Sequence, residues 1–290
     1  MDETYYPGLY RAADNASIRA QSAYLRAVRF HISALVVGAG LTVNPIPSTF
    51  YSLVNAGVFL SALAISILIA TKRYEKAWYS ARAVAESVKT ATWRFMMRAD
   101  PFLDVDSIKE VKAVFRNLLS QILSSNNQLG DLLGGKDCAH EQITGQMTEV
   151  RRKSLEERKL FYLEQRIDEQ RNWYAHKSAY NKMRSGQFFA LLVTLQTLAV
   201  ACVLLRIAYP DWRIWPTDVF VVGAGAVVTW VQLKRFQELA TAYALTAHEI
   251  GIIRGKLSES DSDEEFSDFV RDAENAFSRE HTQWVAKIEG

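Results

Sequence analysis

Two hydrophobic patterns alternate along this chain. From Phe30 to Thr71 no residue carries a charge, a run of 42 positions, about twice the ~20 a helix needs to cross a bilayer. The part from Val58 to Ala70, VFLSALAISILIA, has no polar stripe, so it suits a helix with apolar surroundings on every side. A helical hairpin buried in a soluble protein would normally keep such a stripe. Pro45 and Pro47 stand near the middle of the run, and neither fits a helix interior. The pattern predicts two spans, about 27–43 and 47–70, joined by an Asn-Pro-Ile-Pro turn. Arg26 and Arg29 snorkel to the interface at the start of the first.

The same arrangement returns later. Gly186–Leu205 and Val219–Leu233 are uncharged and flank RIAYPDWRIWPTD, which contains Pro210 and Pro216. Four of the six prolines fall in the two predicted turns, which fits a second hairpin with spans at about 186–205 and 217–233. Tyr209, Trp212 and Trp215 are placed as an interfacial aromatic belt would be.

Elsewhere the period changes to that of amphipathic helices. YEKAWYSARAVAESVKTATWRFMM continues from the second span without Gly or Pro until Asp100-Pro101, which predicts one continuous helix out of the membrane. SIKEVKAVFRNLLSQILSS sets Ile108, Val111, Val114, Leu118, Leu119 and Ile122 along one side. After a Gly-rich break, Met147–Arg184 reads as a long polar helix with Leu160, Leu163, Ile167 and Tyr174 as its apolar stripe. The fold class expected is an all-α membrane protein of two repeated hairpins, with four spans and long helices extending into the cytoplasm.

Charge sets the orientation. The outer ends of the hairpins carry Arg19, Arg26 and Arg29; Lys72, Arg73 and Lys76; Lys177, Lys182 and Arg184; and Lys234 and Arg235. The first turn has no basic residue and the second only Arg206 and Arg213. The positive-inside rule then puts both termini and the central region in the cytoplasm. The location expected is the inner (plasma) membrane, with the lipid bilayer as the first partner. A net charge of +2 implies no nucleic-acid partner. MDETYYPGLY lacks the basic and apolar regions of a secretory signal.

The hairpins read as copies. KRYEKAW from Lys72 and KRFQELA from Lys234 lie 162 positions apart, and Gln21 with Tyr24 and Gln170 with Trp173 precede the two modules at an offset of 149. Residues 1–145 form the first module and 146–290 the second. The pentapeptide VVGAG also occurs twice, at Val36–Gly40 and Val221–Gly225. It fits the small-residue bias of packed membrane helices.

These strings resemble the SLATT superfamily, the SMODS- and SLOG-associating two-transmembrane effector domains, in tandem form. YPGLYRAADNASIRAQSAYLR and AESVKTATWRFMMRADPF are similar to the entry and exit of one module. LEERKLFYLEQRIDEQRNWYAHKSAYN and FSREHTQWVAK are similar to the start and end of the other. The resemblance covers nearly the whole chain. It implies a pore-forming or membrane-perturbing effector of an antiphage conflict system. The trigger would come from a sensor or signal-generating partner, or from the chain's own cytoplasmic helices.

Candidate residues follow. Asn55, Thr194, Gln196 and Thr197 are polar at membrane depth, where a polar group needs a partner or water; they could line a pore or bond between helices. Gly57 with Ser61, and Gly225 with Thr229, form i,i+4 small-residue grooves suited to homo-oligomer packing. Arg82, Glu86, Lys89 and Arg94 fall on neighbouring turns, ordinarily a salt-bridged surface. The resemblance implies instead that they couple the membrane-proximal helix to the other module. Trp93 and Trp284 are expected as packing anchors. The pairs His248-Glu249, Glu280-His281 and Cys138 with His140 lack metal-ligand spacing. No phosphate loop or nucleophile elbow occurs, so neither a cofactor nor an enzyme is expected. A membrane-anchored scaffold or sensor is the alternative function.

Overall fold

In the computed structural model, described residues are 2–44, 46–103, 107–130, 132–133 and 140–289, with side chains to 277 except that of Gln128. Among them the chain is helices and connections. The helices are α1 (Gly8–Thr42), α2 (Thr49–Lys72), α3 (Tyr74–Met97), α4 (Ile108–Ser124), α5 (Gly145–Arg152), α6 (Leu155–Tyr162), α7 (Glu169–Ala208), α8 (Thr217–Lys234), α9 (Phe236–Lys256) and α10 (Asp263–Glu289). Among the described residues four helical runs, Gly8–Thr42, Thr49–Met97, Leu155–Ala208 and Thr217–Glu259, are long and apolar enough to cross a membrane; the last two contain the expected spans 186–205 and 217–233, and the first two cover 27–43 and 47–70 to within two residues. The fold is that of an all-α protein with two membrane hairpins.

The chain divides into two compact units that do not follow its halves. One, here the span unit, is Ala23–Arg73 with Tyr174–Leu245; the other, the core unit, is Met1–Ser22 with Tyr74–Trp173 and Thr246–Gly290. Each draws on both sequence modules.

Two expectations about helix continuity are corrected. The helix predicted to run unbroken from the second span to Pro101 ends at Lys72, because Arg73 is left-handed, with φ 45° and ψ 41°. α3 starts at the next residue. The equivalent Arg235, 162 positions on, is left-handed in the same way (φ 48°, ψ 40°) between α8 and α9. The repeat seen in KRY and KRF thus reaches the backbone. A left-handed conformation costs an ordinary residue about 1–2 kcal/mol, and neither position is Gly, so no residue type marks the break.

The long helix expected over 147–184 is interrupted too. Lys153 is extended, and Ser154 restarts the chain as α6 through a capping box with Glu157, whose signature S-x-x-E was there to be read. Leu163–Asp168 is then a π-helical turn. Its wider ring admits one residue more than an α-turn, so Arg166 and Ile167 both face the core. Leu160 is exposed and Tyr162 buried, against the expected stripe. On α4 the buried residues are Val111, Phe115 and Leu119. Ile108 and Val114, expected on the same side, are exposed.

The core unit packs around α3, which buries Ala81, Val84, Ala85, Val88, Trp93, Phe95, Met96 and Met97, among others. α10 lies against it with Phe266, Val270, Ala273 and Phe277 buried. Phe95, Phe102 and Phe115 form a ring cluster with centroids 4.9–5.9 Å apart. α3 ends in a Schellman motif: left-handed Arg98 donates its N–H to Phe95 O, and Ala99 donates to Arg94 O at 2.9 Å.

Candidate functional site

The span unit is built on close helix pairs. A methyl group at Gly38 on α1 would sit 2.8 Å from the Phe59 ring on α2, and one at Gly223 on α8 would sit 3.6 Å from Leu195 on α7. Both glycines are the first in a VVGAG pentapeptide. Each therefore serves the contact within its own hairpin, a role the repeated pentapeptide signalled without locating. The second glycines, Gly40 and Gly225, and also Gly57, have nothing within 4 Å of the added atom. The expected grooves Gly57/Ser61 and Gly225/Thr229 are consequently open within the chain.

What the unit shows outward is large and apolar. Phe50 is 76% exposed and Ile207 74%, with Leu53, Leu60, Phe189 and Leu204 also open. In water this surface would be very costly, since single apolar side chains are worth about 1.5–3 kcal/mol each on burial. Hydrocarbon is the solvent it fits.

Polar atoms in the spans are mostly satisfied locally. Ser61 donates to Val58 O (2.7 Å), Thr194 to Ala190 O (2.9 Å) and Thr229 to Gly225 O (2.9 Å). Gln196 and Thr197 are exposed. Asn55 is half-buried, and its enclosed Oδ1 has no hydrogen-bond partner among the described residues. No hydrogen bond joins Asn55 to the three α7 residues. His31 was missed at sequence level, hidden in a run defined by absence of charge. Its Nδ1 lies 3.2 Å from Ala62 O and 3.2 Å from Ser66 Oγ, tying α1 to α2. In the second turn Tyr209, Trp212 and Trp215 form a row of rings 5.6 and 5.7 Å apart. Pro45, in the first turn, lies outside the described residues.

The core unit holds a buried ion pair that sequence reading also missed. Arg166 reaches Glu274 through Nε at 2.8 Å and Nη2 at 2.7 Å. Glu274 is 0% exposed and Arg166 2%. Tyr162 Oη donates to Glu274 Oε1 at 3.0 Å and Thr90 Oγ1 to Oε2 at 3.1 Å. The carboxylate thus accepts four hydrogen bonds, and the guanidinium stacks 4.8 Å over Phe277 and 5.9 Å over Trp93. Burial alone would disfavour the Arg166 cation, but the Glu274 charge and its hydrogen bonds hold the pKa above the usual arginine value. Burial and the same carboxylate push the Tyr162 hydroxyl well up. Arg166 follows buried Arg158 and Tyr162 at i+8 and i+4 and shares their face, and nothing in the residue types announces the pair.

Two further arginines close the end of α3. Arg151 donates to Phe95 O (2.6 Å) and Phe102 O (2.8 Å). Arg158 donates to Met97 O (2.7 Å) and pairs with Asp263. Cations over the last carbonyls of a helix answer both the orphan acceptors and the dipole.

The expected coupling residues divide between partners. Arg82 bridges Asp14 on α1 (3.1 Å) and Glu86 (2.5 Å). Burial pushes the Lys89 amine below the usual lysine range, with Glu86 opposing. Trp93 is fully buried, 5.5 Å from the Tyr162 ring edge-on, and Arg94 donates to Asn275 Oδ1 on α10 at 2.6 Å. The side chain of Trp284 and the whole of Cys138 lie outside the described residues.

A helical membrane protein of two tandem two-span modules is thereby defined. The model of SMODS and SLOG-associating 2TM effector domain 3 matches residues 7–159, and that of domain 1 of the same series matches residues 162–284. The chain belongs to the SLATT family, in tandem form. That makes it a membrane-associated effector of the kind found in conflict systems, built from domains that are not known enzymes. No curated protein and no solved structure matches the chain.

Proposed function

We propose that the chain is a pore-forming effector that acts as a homo-oligomer in the inner membrane, with both termini cytoplasmic. The observation that carries the reading is the open groove at Gly57 and Ser61, where a second copy's helix can approach closely. Gly225 and Thr229 offer another. The enclosed, unpartnered Asn55 Oδ1 adds a polar atom that a neighbouring copy or pore water would satisfy. Four spans with so few free polar atoms cannot enclose a wide channel alone, so several copies are required. The trigger comes from a sensor or signal-generating protein of the same system.

Ion flux from liposomes containing the purified protein tests this directly. Flux from the wild type under activating conditions, reduced by Gly57→Leu together with loss of oligomers in native mass spectrometry, is the expected result. Cysteine labelling at Ser48 from the external side only is the expected topology result.

The scaffold or sensor reading draws on a different observation. Ser61, Thr194 and Thr229 spend their hydroxyls on their own helices, leaving less to hold water. A protein that never conducts, yet captures a partner through its core unit, would favour it.

A further inference from the structure

Within the span unit, α7 shows the membrane an amide that its own chain does not satisfy. Gln196 stands at the middle of the uncharged run Gly186–Leu205, about 15 Å from either end at 1.5 Å per residue. That is the centre of a hydrocarbon layer about 30 Å thick. The residue is exposed, and among the described residues it makes no hydrogen bond. Thr194, on the same helix, returns its hydroxyl to Ala190 O at 2.9 Å. A glutamine amide brings two N–H donors and an oxygen acceptor, and leaving them bare in hydrocarbon is costly. Lipid tails suit the apolar residues around it but offer it no partner.

The neighbours of Gln196 make a seam. Phe189, Val193, Gln196, Val200, Val203 and Ile207 are all exposed and follow one another at steps of four, three, four, three and four. This 3.5-residue period is the line along which two helices wrap left-handedly, the side chains of one entering holes in the other. It lies apart from the inward side of α7, marked by Leu195 beside Gly223 and by buried Ala199. A line of this period can be traced along any exposed helix. On α2 it passes Leu53, Gly57, Leu60 and Ala64, where the neighbouring Ser61 already bonds Val58 O. What distinguishes α7 is one unsatisfied polar residue at the centre of an apolar seam, the device that sets register and copy number in coiled coils.

We propose that α7 pairs in parallel with α7 of a second copy along this seam, with Gln196 of each copy hydrogen-bonded to the other. The pairing rests on the self-assembly proposed above and needs no conduction. Copies of one membrane chain share one orientation, so rotation about an axis along the membrane normal brings identical residues level. An amide is its own complement: an N–H donates to the oxygen opposite, and its own oxygen accepts in return. A second copy therefore supplies donor and acceptor at the required depth.

Disulfide trapping of the full chain in membranes tests the seam. Cys138 and Cys202, the native cysteines, are first changed to Ser. Single cysteines are then introduced as Val193→Cys and Val200→Cys on the seam, Leu191→Cys and Leu198→Cys on the other side of α7, and Ser61→Cys in the α2 groove. A disulfide requires Cα atoms within about 7 Å, so oxidation should join the seam variants and spare the leucine variants. Energy transfer between labelled copies in phosphatidylcholine vesicles should show Gln196→Leu weakening association about three- to thirty-fold. Gln196→Asn, which keeps the amide, should retain most of it. Gln196→Leu makes the span more apolar, so it still inserts. Trapping at neither seam position, or equally at Leu191 and Leu198, overturns the seam. If Ser61→Cys then traps, self-assembly stands without it; monomers throughout in native mass spectrometry overturn both. Association left unchanged by Gln196→Leu overturns the amide pair.

Discussion

The two units bury opposite kinds of residue. In the core unit the fully enclosed side chains are the largest ones, Trp93, Tyr162, Phe95, Phe102 and Met97, together with Arg151, Arg158 and Arg166. In the span unit the enclosed residues are mainly small, Ala39, Ala62, Ala199, Ala224 and Val227, and most large ones point out, Tyr174 and Phe236 being buried exceptions. The first unit gains by removing apolar area from water. The second has no such gain between helices, because lipid is as apolar as leucine. It is held by close backbone approach at Gly38 and Gly223 and by the His31–Ala62–Ser66 contact. An exposed leucine therefore means different things in the two units, and so does a buried charge.

The sharpest way to break the comparison is at the buried pair. Glu274→Ala strands the Arg166 cation in the core unit and is expected to cost about 3–5 kcal/mol, read as a large drop in melting temperature. Replacing both partners, Arg166→Met with Glu274→Met, should recover most of the loss, since two apolar side chains need no compensation. If the double variant melts as low as the single one, the pair is supporting the fold through Tyr162 and Thr90 rather than through its own balance of charge.

A charge on an exposed apolar position comes next. Leu60 in α2 is 63% exposed and Val114 in α4 42%, so surface exposure alone ranks them alike. Leu60→Arg is expected to cost about 2.5–3.5 kcal/mol of membrane insertion, whereas Val114→Arg should change stability by within about 0.5 kcal/mol. Carbonate extraction for the first and thermal melting for the second give the readouts. Similar, small effects at both sites would deny that the span unit is surrounded by hydrocarbon.

Smaller again is the contrast between glycines. Gly38→Ala must move the Phe59 ring and is expected to cost about 1–3 kcal/mol by overpacking. Gly57→Ala meets open space in the single chain and should leave its melting in dilute detergent unchanged. A loss at Gly57 that grows with protein concentration is the signature of the proposed interface between copies.

How much of this was legible beforehand follows from the same contrast. The spans were readable because their signal is compositional: forty-odd uncharged positions need no knowledge of partners. The repeat was readable from KRY and KRF, but the left-handed arginines inside those strings were not, because no Gly marked them. Trp93 could be singled out by size. The Arg166–Glu274 pair could not: its members are 108 positions apart, and in a run as polar as EQRIDEQR nothing marks one arginine as buried. Nor could the glycines be sorted, since four of them look alike in sequence and only the helix pairing distinguishes Gly38 and Gly223 from Gly57 and Gly225.

The smallest effect tests the break that both modules share. An ordinary residue held left-handed costs about 1–2 kcal/mol, and Gly relieves that but loses about 0.5–1 kcal/mol of chain entropy on folding. Arg73→Gly should therefore stabilise by a few tenths to about 1 kcal/mol, seen as a slightly higher melting temperature. At Arg235 the arithmetic differs, because its side chain pairs with Glu238 across one turn. Losing an exposed pair costs about 0.2–1 kcal/mol, so Arg235→Gly should come out near zero. The β-branched replacements Arg73→Val and Arg235→Val, which suit a left-handed backbone worst, should destabilise both sites. If they instead leave melting unchanged, the chain passes from α2 to α3 and from α8 to α9 as continuous helix, as the uninterrupted sequence between Lys72 and Pro101 would suggest.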